Sequence, residues 1–461
     1  MSYTISSNLL SLIVSALVIL IIPKLIGVEE YGYWQLYIFY SSYVGFLHFG
    51  WSDGIYLRYG GYEYDKLEKK LFFSQFLSLV ASQIIIGIII SVFSSLYLVD
   101  SNRDFIIKMV AIAMILSNSR LILLYIFQAT SRIKEYARIT MFDRIVYITL
   151  IILFLILGVR DYKLMVIADL IGKFVSLVYS MISCKEIVFN KISYFYCTIK
   201  ETITNISVGI KLMFANIASM LIIGIVRFGI ERTWDLSTFG KVSLTLSISN
   251  MMMIFINAVG IIMFPILRRT NQEKLPGIYS IMRDLLMVLS LGALVLYYPL
   301  KTVIAAWLPQ YAESLLYMSL LFPMFIYEGK MSLLINTYLK TLRREKVMLQ
   351  INTITMLSSL VLTYIATNIF RNLDIAILNI VILLAFRSVL AELYLSKELK
   401  IDMKKDMLLE LSLTMVFILS GWFVDSWMTV LIYGMTYLIY LAIKRKDITG
   451  TIHNIKLLMK A

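Results

Sequence analysis

The stretch Leu77–Leu98 reads LSLVASQIIIGIIISVFSSLYL and holds no charged side chain. A transmembrane helix needs about 20 consecutive apolar residues to cross roughly 30 Å of hydrocarbon. A strand of a transmembrane β-barrel would instead alternate apolar and polar residues over about 10 positions. Because this run is continuous and long enough, it predicts a membrane-spanning α-helix.

The composition extends this prediction to nearly the whole chain. Of its 461 residues, 60% are hydrophobic and 16% are charged, and the mean hydropathy is +0.82. Soluble domains contain about 45–50% apolar and about 25% charged residues. A soluble chain of this length would need more polar surface than this sequence supplies, so we expect an all-α polytopic membrane protein.

Apolar runs between charged segments predict about 14 transmembrane helices. They lie near residues 9–26, 34–56, 71–98, 105–128, 142–157, 164–184, 206–228, 242–265, 278–298, 315–338, 347–369, 375–394, 408–424 and 428–443. The last two are short and close together, which leaves twelve or thirteen spans as alternatives. The first run has no charged flank before it and no small-residue cleavage site, so we interpret it as a retained helix.

Basic residues predict how the chain is oriented in the membrane. Alternate loops on one side contain 26 Lys and Arg residues in total, and the loops on the other side contain 9. Because basic loops stay in the cytoplasm, we expect both termini to be cytoplasmic and the chain to lie in the cytoplasmic (inner) membrane. The net charge of +14 then reflects basic loops beside anionic membrane lipids, and we expect no nucleic-acid partner.

Short loops and missing motifs exclude several classes of enzyme. The longest predicted loop lies near Lys185–Asn205 and is too short for a soluble catalytic domain, and the chain has no G-x-x-x-x-G-K-[ST] phosphate loop. Cys184 and Cys197 lack C-x-x-C spacing, so we expect reduced thiols. The two histidines, His48 and His453, have no metal-ligand company. We therefore expect no metal, no cofactor and no enzymatic activity.

A weak internal repeat predicts two similar lobes. Glu30-Tyr31-Gly32 aligns with Thr238-Phe239-Gly240, and in both places a predicted span is followed by a short outer loop and a second span. Six spans separate the copies, so both have the same orientation, as in parallel repeats. Chance similarity in apolar sequence is the alternative. The predicted division is an N-terminal lobe at 1–184, an inter-lobe cytoplasmic loop at 185–205, a C-terminal six-helix lobe at 206–395, and two extra helices with a basic tail at 396–461.

Three outer-loop segments resemble those of a known transporter family. The segment Gly27-Val28-Glu29-Glu30-Tyr31-Gly32-Tyr33-Trp34 resembles the first outer loop of polysaccharide flippases, and Ser237-Thr238-Phe239-Gly240-Lys241 resembles its counterpart in the second half. Ala306-Trp307-Leu308-Pro309-Gln310-Tyr311 looks like the outer-loop motif before their tenth span. With the span count, these segments give a resemblance over essentially the whole chain to Wzx-type flippases of the multidrug/oligosaccharidyl-lipid/polysaccharide (MOP) superfamily.

The resemblance implies a function and partners for the chain. Such flippases move a polyprenyl-diphosphate-linked oligosaccharide, such as an O-antigen or capsule repeat unit, from the cytoplasmic to the outer leaflet. They work by alternating access between two lobes, driven by an ion gradient. The expected partners are the lipid-linked oligosaccharide, membrane lipids, and the polymerase and glycosyltransferases of the same biosynthesis.

Basic residues inside the predicted spans are the candidate substrate ligands. A charged side chain at the bilayer centre costs about 2.5–3.5 kcal/mol on insertion scales, so it usually faces water or a partner. Five such cations could bind the diphosphate headgroup, namely Arg120, Arg387, Lys173, Lys330 and Lys211. The alternative is that they stabilise packing between helices through acids on other helices.

Two acids are the candidates for ion coupling. Glu328 lies mid-span without a base on the same helical face, and Asp169 lies four residues before Lys173. The latter spacing favours a pair within one helix, which would neutralise both groups. For Arg120, the acids on other helices that could serve as packing partners are Asp143 and Asp169.

Three other functions stay open from the sequence alone. A drug/cation antiporter or a lipid II flippase of the same superfamily would share the fold. A membrane glycan polymerase or ligase also has many spans, but such enzymes normally need a larger outer loop than this chain provides.

Overall fold

The computed structural model describes residues 18–253 and 272–450. Within those ranges the chain forms helices joined by short turns and contains no β-strand, which confirms the all-α class. Three predicted segments lie partly outside the described residues: the first span (9–26), the eighth span (242–265) and the basic tail. His453 lies outside them entirely.

The α-helices follow one another with few long connections. In chain order they are α1 (Val28–Ser41), α2 (Trp51–Arg58), α3 (Lys69–Tyr97), α4 (Ser101–Ala129), α5 (Ile133–Ile156), α6 (Tyr162–Ser183), α7 (Lys185–Val188), α8 (Ile199–Thr233), α9 (Leu236–Met251), α10 (Leu275–Ala293), α11 (Tyr297–Trp307), α12 (Met318–Leu321), α13 (Met324–Gly329), α14 (Asn336–Thr341), α15 (Glu345–Tyr364), α16 (Leu373–Leu399), α17 (Lys404–Phe423) and α18 (Met428–Ile443). Two π-helical segments, Lys330–Ile335 and Ile365–Ile369, continue α13 and α15.

Most predicted spans correspond to long apolar helices. Among the described residues, nine helical segments are long and apolar enough to cross a membrane, and a tenth is a pair bent by 40° between Leu321 and Met324. Pro323 lies in that break, where its ring cannot continue regular hydrogen bonding. The predicted second span is also broken, because α1 ends at Ser41 and α2 begins at Trp51.

One predicted boundary is wrong in a way that matters for the site. The fifth span was expected at 142–157, whereas α5 begins at Ile133. The basic segment around Arg138 was interpreted as a loop, but its residues are the first turns of the helix. Asp143 and Arg144 therefore lie in the middle of α5 and not in its first turn.

The surface of α3 shows why the helices need a bilayer. Its buried residues recur on one side and include Phe72, Phe76 and Leu79. The opposite side exposes Ile85, Ile89 and other large apolar side chains. A helix that is apolar on every face belongs in a core or a membrane, and this exposed face has no protein cover within the described chain.

Contacts divide the chain into two compact units, Met1–Ile217 and Ala218–Ala461. In unit 1, α2, α3 and α4 meet around Trp51, Phe76 and Phe127. In unit 2, Phe417 packs against Tyr297 and Tyr433 with near-perpendicular rings. The boundary between the units falls inside α8. The sequence-based lobe boundaries stay a prediction, as does the pseudo-symmetry of the lobes.

The first outer-loop motif has a structural role in unit 1. Glu30 accepts a hydrogen bond from the backbone N–H of Tyr162 at 2.8 Å, and the ring of Tyr33 stacks on that of Tyr162 at 4.9 Å between centroids. The first N–H groups of a helix lack partners within the helix. The motif therefore supplies one of the partners at the start of α6 and ties α1 to it.

Candidate functional site

Arg120, the clearest predicted cation, is bound to two other helices of unit 1. Its guanidinium lies 2.7 Å from the carboxylate of Asp143 on α5 and donates to the Ser176 hydroxyl on α6 at 2.9 Å. The pairing partner is one of the two acids that the sequence analysis named for the packing alternative. Arg120 thus connects α4, α5 and α6. Its Nε has no hydrogen-bond partner among the residues that the structure describes.

The predicted pair on α6 is present. Lys173 and Asp169 form an ion pair one turn apart, and the Tyr37 hydroxyl of α1 donates to the same carboxylate at 2.6 Å. Both charged side chains are largely buried. Asp169 thus joins α1 to α6, and the Lys173 charge is neutralised in this conformation.

Arg144 is a candidate that the sequence analysis missed. It lies eleven residues into α5, about 16 Å from the start of the helix, and its side chain is exposed. It interacts electrostatically with Asp169 and Tyr147, yet it forms no ion pair with any residue that the structure describes. The error in the helix start concealed it, because the sequence placed it beside a loop.

The position of Arg144 on α5 indicates what its side chain faces. The helix exposes Ile145, Ile152 and Ile156 as one apolar stripe, which suits lipid. Arg144 lies about 100° around the helix from that stripe. It shares its side of α5 with Ile151 and Leu155, which are buried. Because Arg144 is exposed although it lies on this side, its side chain faces an accessible space away from the lipid-facing stripe.

Lys211 is the one exposed cation among the five predicted ligands. It lies twelve residues into α8, and its side chain is exposed. At 35 residues, α8 is about 52 Å long, which exceeds the roughly 30 Å hydrocarbon thickness. A straight helix of this length extends beyond the hydrocarbon, and Lys211 lies in the first half of α8, after the charged residues Lys200 and Glu201.

In unit 2, Arg387 and Glu328 are partners. The Arg387 guanidinium lies 3.1 Å from the Glu328 carboxylate on α13 and donates to the Ser219 hydroxyl on α8 at 2.9 Å. The Arg387 side chain is 2% exposed and that of Glu328 is 22% exposed. The cationic partner of Glu328, which helical spacing did not identify, is therefore Arg387 on α16.

Lys330 belongs to a buried cluster of four charges, hereafter the ionic cluster: Arg283, Lys330, Glu392 and Glu410. Lys330 Nζ lies 2.7 Å from Glu392 and 2.8 Å from Glu410. Arg283 lies 2.5 Å from Glu392 and 2.6 Å from Glu410. No member has a side chain more than 2% exposed. Two cations and two anions cancel, so Lys330 offers no free charge in this conformation.

A second layer of charges caps the ionic cluster at the end of α18. Lys444 lies 3.0 Å from both Asp284 and Asp406 and 2.8 Å from Asp447. Burial alone would lower the pKa of the Lys444 ammonium. Hydrogen bonds to Asp447, Asp284 and Asp406 outweigh that effect and raise the pKa above its ordinary value, so Lys444 stays charged.

No group of His, Cys, Asp and Glu side chains within the described ranges could hold a metal ion. Cys184 is buried and Cys197 is exposed, and neither is in a disulfide.

The sequence matches no protein-family model and no curated protein, but solved structures match the fold. A structure described as the lipid II flippase MurJ in an inward closed conformation gives a TM-score of 0.68 at 16% identity, covering 97% of this chain and 98% of its own. An inward-facing multidrug resistance MATE family transporter of the MOP superfamily gives 0.67 at 11% identity, covering 84% of this chain and 94% of its own. The chain has a MATE- and MurJ-like fold.

This finding confirms the predicted fold class and supports the predicted resemblance at the level of the fold. The Wzx-type subfamily stays a prediction, because the fold is shared by transporters of different substrates.

Proposed function

We propose that the protein moves a polyprenyl-diphosphate-linked oligosaccharide from the cytoplasmic to the outer leaflet by ion-coupled alternating access. The fold supports transport, and Arg144 is the observation that carries the choice of an anionic substrate. An arginine within a span that forms no ion pair with a described residue requires water or a ligand, because it has no neutral form at accessible pH.

The charges of Arg144 and of the two neighbouring pairs, Arg120–Asp143 and Asp169–Lys173, favour the same substrate class. Arg120, Arg144 and Lys173 carry three positive charges, and Asp143 and Asp169 carry two negative charges. The surplus cation attracts a diphosphate, whose oxygens accept paired hydrogen bonds from a guanidinium. In this proposal Arg144 binds first, and Arg120 and Lys173 contribute when their carboxylate partners turn away.

The remaining predicted ligands take different parts in the proposal. Lys211 contributes positive charge near the cytoplasmic surface. In unit 2, Arg387 offers the substrate its guanidinium Nε, which has no hydrogen-bond partner among the described residues. Lys330 stays in the ionic cluster and does not contact substrate. For ion coupling, protonation of Asp169 would release Lys173, and protonation of Glu328 would release Arg387. In both cases the proton makes a paired cation available to the anion.

The direct test uses a strain that lacks the gene. Lipid-linked repeat units are expected to accumulate on the cytoplasmic side, and surface polysaccharide is expected to return when the gene is restored. An unchanged distribution of lipid-linked repeat units would contradict the proposal. Increased sensitivity of that strain to cationic drugs in place of that defect would favour the antiporter, and loss of polymer length with normal translocation would favour a polymerase.

Replacing Arg144 by alanine is expected to lower translocation at least tenfold while the amount of folded protein stays normal. The expected loss of activity corresponds to about 1.4 kcal/mol or more of substrate binding. Folding should be unaffected, because Arg144 forms no ion pair with a residue that the structure describes. Arg144→Lys keeps the charge without the paired donors and should retain part of the activity. The measurement is surface polysaccharide beside the amount of protein in the membrane.

Arg138→Ala is the matched control for Arg144, since Arg138 lies on the same helix near its cytoplasmic end. It is expected to leave translocation nearly unchanged. Full activity of the Arg144→Ala protein would remove the main support for an anionic substrate.

The predicted orientation is tested by cysteine labelling in intact cells. A cysteine at position 190 should react only with reagents that cross the membrane, because the loop is expected to be cytoplasmic. A cysteine at position 310 should react with impermeant reagents from outside. Cys197 is exposed and has to be replaced by serine first. Strong labelling of position 190 from outside would contradict the orientation and the proposed direction of transport.

A further inference from the structure

The cytoplasmic half of α8 is locked onto α2 by contacts between backbones. We call the contact between residues 50–58 and 199–210 the α2–α8 crossing. A Cβ on Gly54 would lie 1.9 Å from the carbonyl oxygen of Asn205, and one on Gly209 would lie 2.0 Å from that of Gly50. These distances are shorter than any side chain tolerates, so the crossing requires glycine at both positions. Small residues bring transmembrane helices together in this way.

A buried hydrogen-bond chain fastens the same crossing. Trp51 donates to the Gln75 amide oxygen at 2.6 Å, and Asn205 donates to the same oxygen at 3.1 Å. The Gln75 amide nitrogen donates to the Thr198 hydroxyl at 2.7 Å. These four side chains are all less than 9% exposed. Separating the helices would leave buried polar groups unpaired, at about 1–3 kcal/mol for each group.

An ionic contact lies at the end of the crossing away from Gly50 and Gly209. Arg58 lies 2.7 Å from the Glu201 carboxylate and donates to the Asn205 side-chain oxygen at 2.5 Å. The crossing therefore runs antiparallel, with Gly50 beside Gly209 at one end and Arg58 beside Glu201 at the other.

The loop that was expected to join the lobes is itself bound to unit 1. The Tyr196 backbone N–H donates to the Ser74 hydroxyl of α3 at 3.2 Å, and the Tyr196 hydroxyl donates to Glu68 at 3.2 Å. The chain then passes into unit 2 within α8, where Ser219 accepts from Arg387 and the Ile222 carbonyl accepts from Ser359 at 2.8 Å. Residues 211–218 are left between the last crossing contact and the first contacts with unit 2.

We propose that the α2–α8 crossing is a permanent joint, so that the first half of α8 moves with unit 1 and unit 2 moves relative to it only beyond Ile210. Residues 211–218 contain no glycine or proline, so α8 would curve smoothly there and would not kink. The proposal divides α8 between the two moving bodies, whereas a division at the 185–205 loop gives all of α8 to the second. Its consequence for transport rests on the proposed function.

Fixing the joint chemically tests the proposal. Leu57, which is 47% exposed, and Thr204 lie on the same flank of the crossing by their helical positions. Cysteines at these two positions, in a chain with Cys197→Ser, are bridged by a reducible bis-thiosulfonate reagent. Translocation by the bridged protein is expected to stay within twofold of that of the same protein after reduction. A loss on bridging that reduction restores would overturn the proposal, because the crossing would then have to open in every cycle.

Spin labels at the same two positions give an answer that needs no substrate. One narrow distance distribution is expected in detergent and in lipid nanodiscs, at pH 5 and at pH 8. Two resolved distances in any of these conditions would overturn the joint whether or not the protein is a flippase. If the unbridged protein has no translocation activity at all, the proposed function fails and the spin-label result still decides the joint.

Glycine substitutions test the steric basis of the crossing. Gly54→Ala and Gly209→Ala are each expected to lower the yield of monodisperse protein at least tenfold. Gly45→Ala is the matched control in unit 1, since a Cβ there meets nothing within 4 Å, and it should be tolerated. Normal yields for Gly54→Ala and Gly209→Ala would show that the helices stand further apart than the joint requires.

Discussion

Replacing Glu392 by alanine is expected to remove most of the folded protein from the membrane. Glu392 is fully buried and contacts both Arg283 and Lys330, and the Tyr279 hydroxyl donates to it at 3.2 Å. Its removal leaves two buried cations to share Glu410. Breaking a buried ion pair by removing one partner costs about 3–5 kcal/mol, which is a large part of the 5–15 kcal/mol stability of a typical domain. The measurement is the monodisperse fraction and the melting temperature in detergent.

Glu398→Ala is the matched control for this prediction. Glu398 lies on the same helix, and its pair with Arg344 at 2.7 Å is exposed. Exposed pairs contribute little to stability, so the control should behave like the unmodified protein. Equal stability of the Glu392→Ala and Glu398→Ala proteins would contradict the structural role of the ionic cluster.

A double replacement distinguishes lost charge balance from lost packing. Lys330→Met combined with Glu392→Gln removes one cation and one anion and leaves the Arg283–Glu410 pair at 2.6 Å. The double variant is expected to be more stable than either single variant, because the remaining charges cancel. A double variant that is no better than Glu392→Ala would mean that the shape of the cluster matters more than its charge.

The ionic cluster shows where the sequence stops being informative. Lys330 was recognised because a mid-span lysine is costly, and its separation from Glu328 correctly excluded a pair within that helix. Its true partners, Glu392 and Glu410, lie on α16 and α17. Both fall near predicted span ends, where a charge needs no explanation. Only the tertiary packing of four helices brings these groups together, and no local spacing encodes it.

The site in unit 1 could be predicted in part. The Asp169–Lys173 pair follows from helical spacing alone, and Asp143 was named as a possible partner of Arg120. Arg144 was missed because the basic residues before it, up to Arg138, are typical of a cytoplasmic loop. Those residues are nevertheless helical, so the charge pattern marked the membrane surface and not the end of the helix. Hydropathy locates spans well, but it places their ends poorly when a helix extends into the interface.

The fold itself was the most predictable property. Long apolar runs require helices because the bilayer supplies no hydrogen-bond partners for the backbone. The alternation of basic loops predicts how these helices are oriented. The α2–α8 crossing was not predictable in the same way. Gly50, Gly54 and Gly209 stand in the sequence without any signal that they meet, since a glycine marks a close approach only when its neighbour is known.

Replacing Arg120 by alanine is expected to lower the amount of folded protein several-fold, in contrast to Arg144→Ala. The change leaves Asp143 without its partner at 12% side-chain exposure and leaves the Ser176 hydroxyl without its donor. The expected cost is near the lower end of the 3–5 kcal/mol for a broken buried pair, because Asp143 keeps some access to its surroundings. The measurement is the amount of protein in the membrane beside surface polysaccharide in the complemented strain.

Three further variants decide what Arg120 does. Lys108→Ala, on the same helix in an exposed pair with Asp104, is the matched control and should leave the protein level unchanged. Arg120→Leu with Asp143→Leu removes both charges and should restore the level if the pair serves only packing. If that double variant is well folded but fails to translocate, the charges also serve the substrate, and Arg120→Lys should then retain part of the activity. An Arg120→Ala protein that is normally abundant and fully active would contradict both roles.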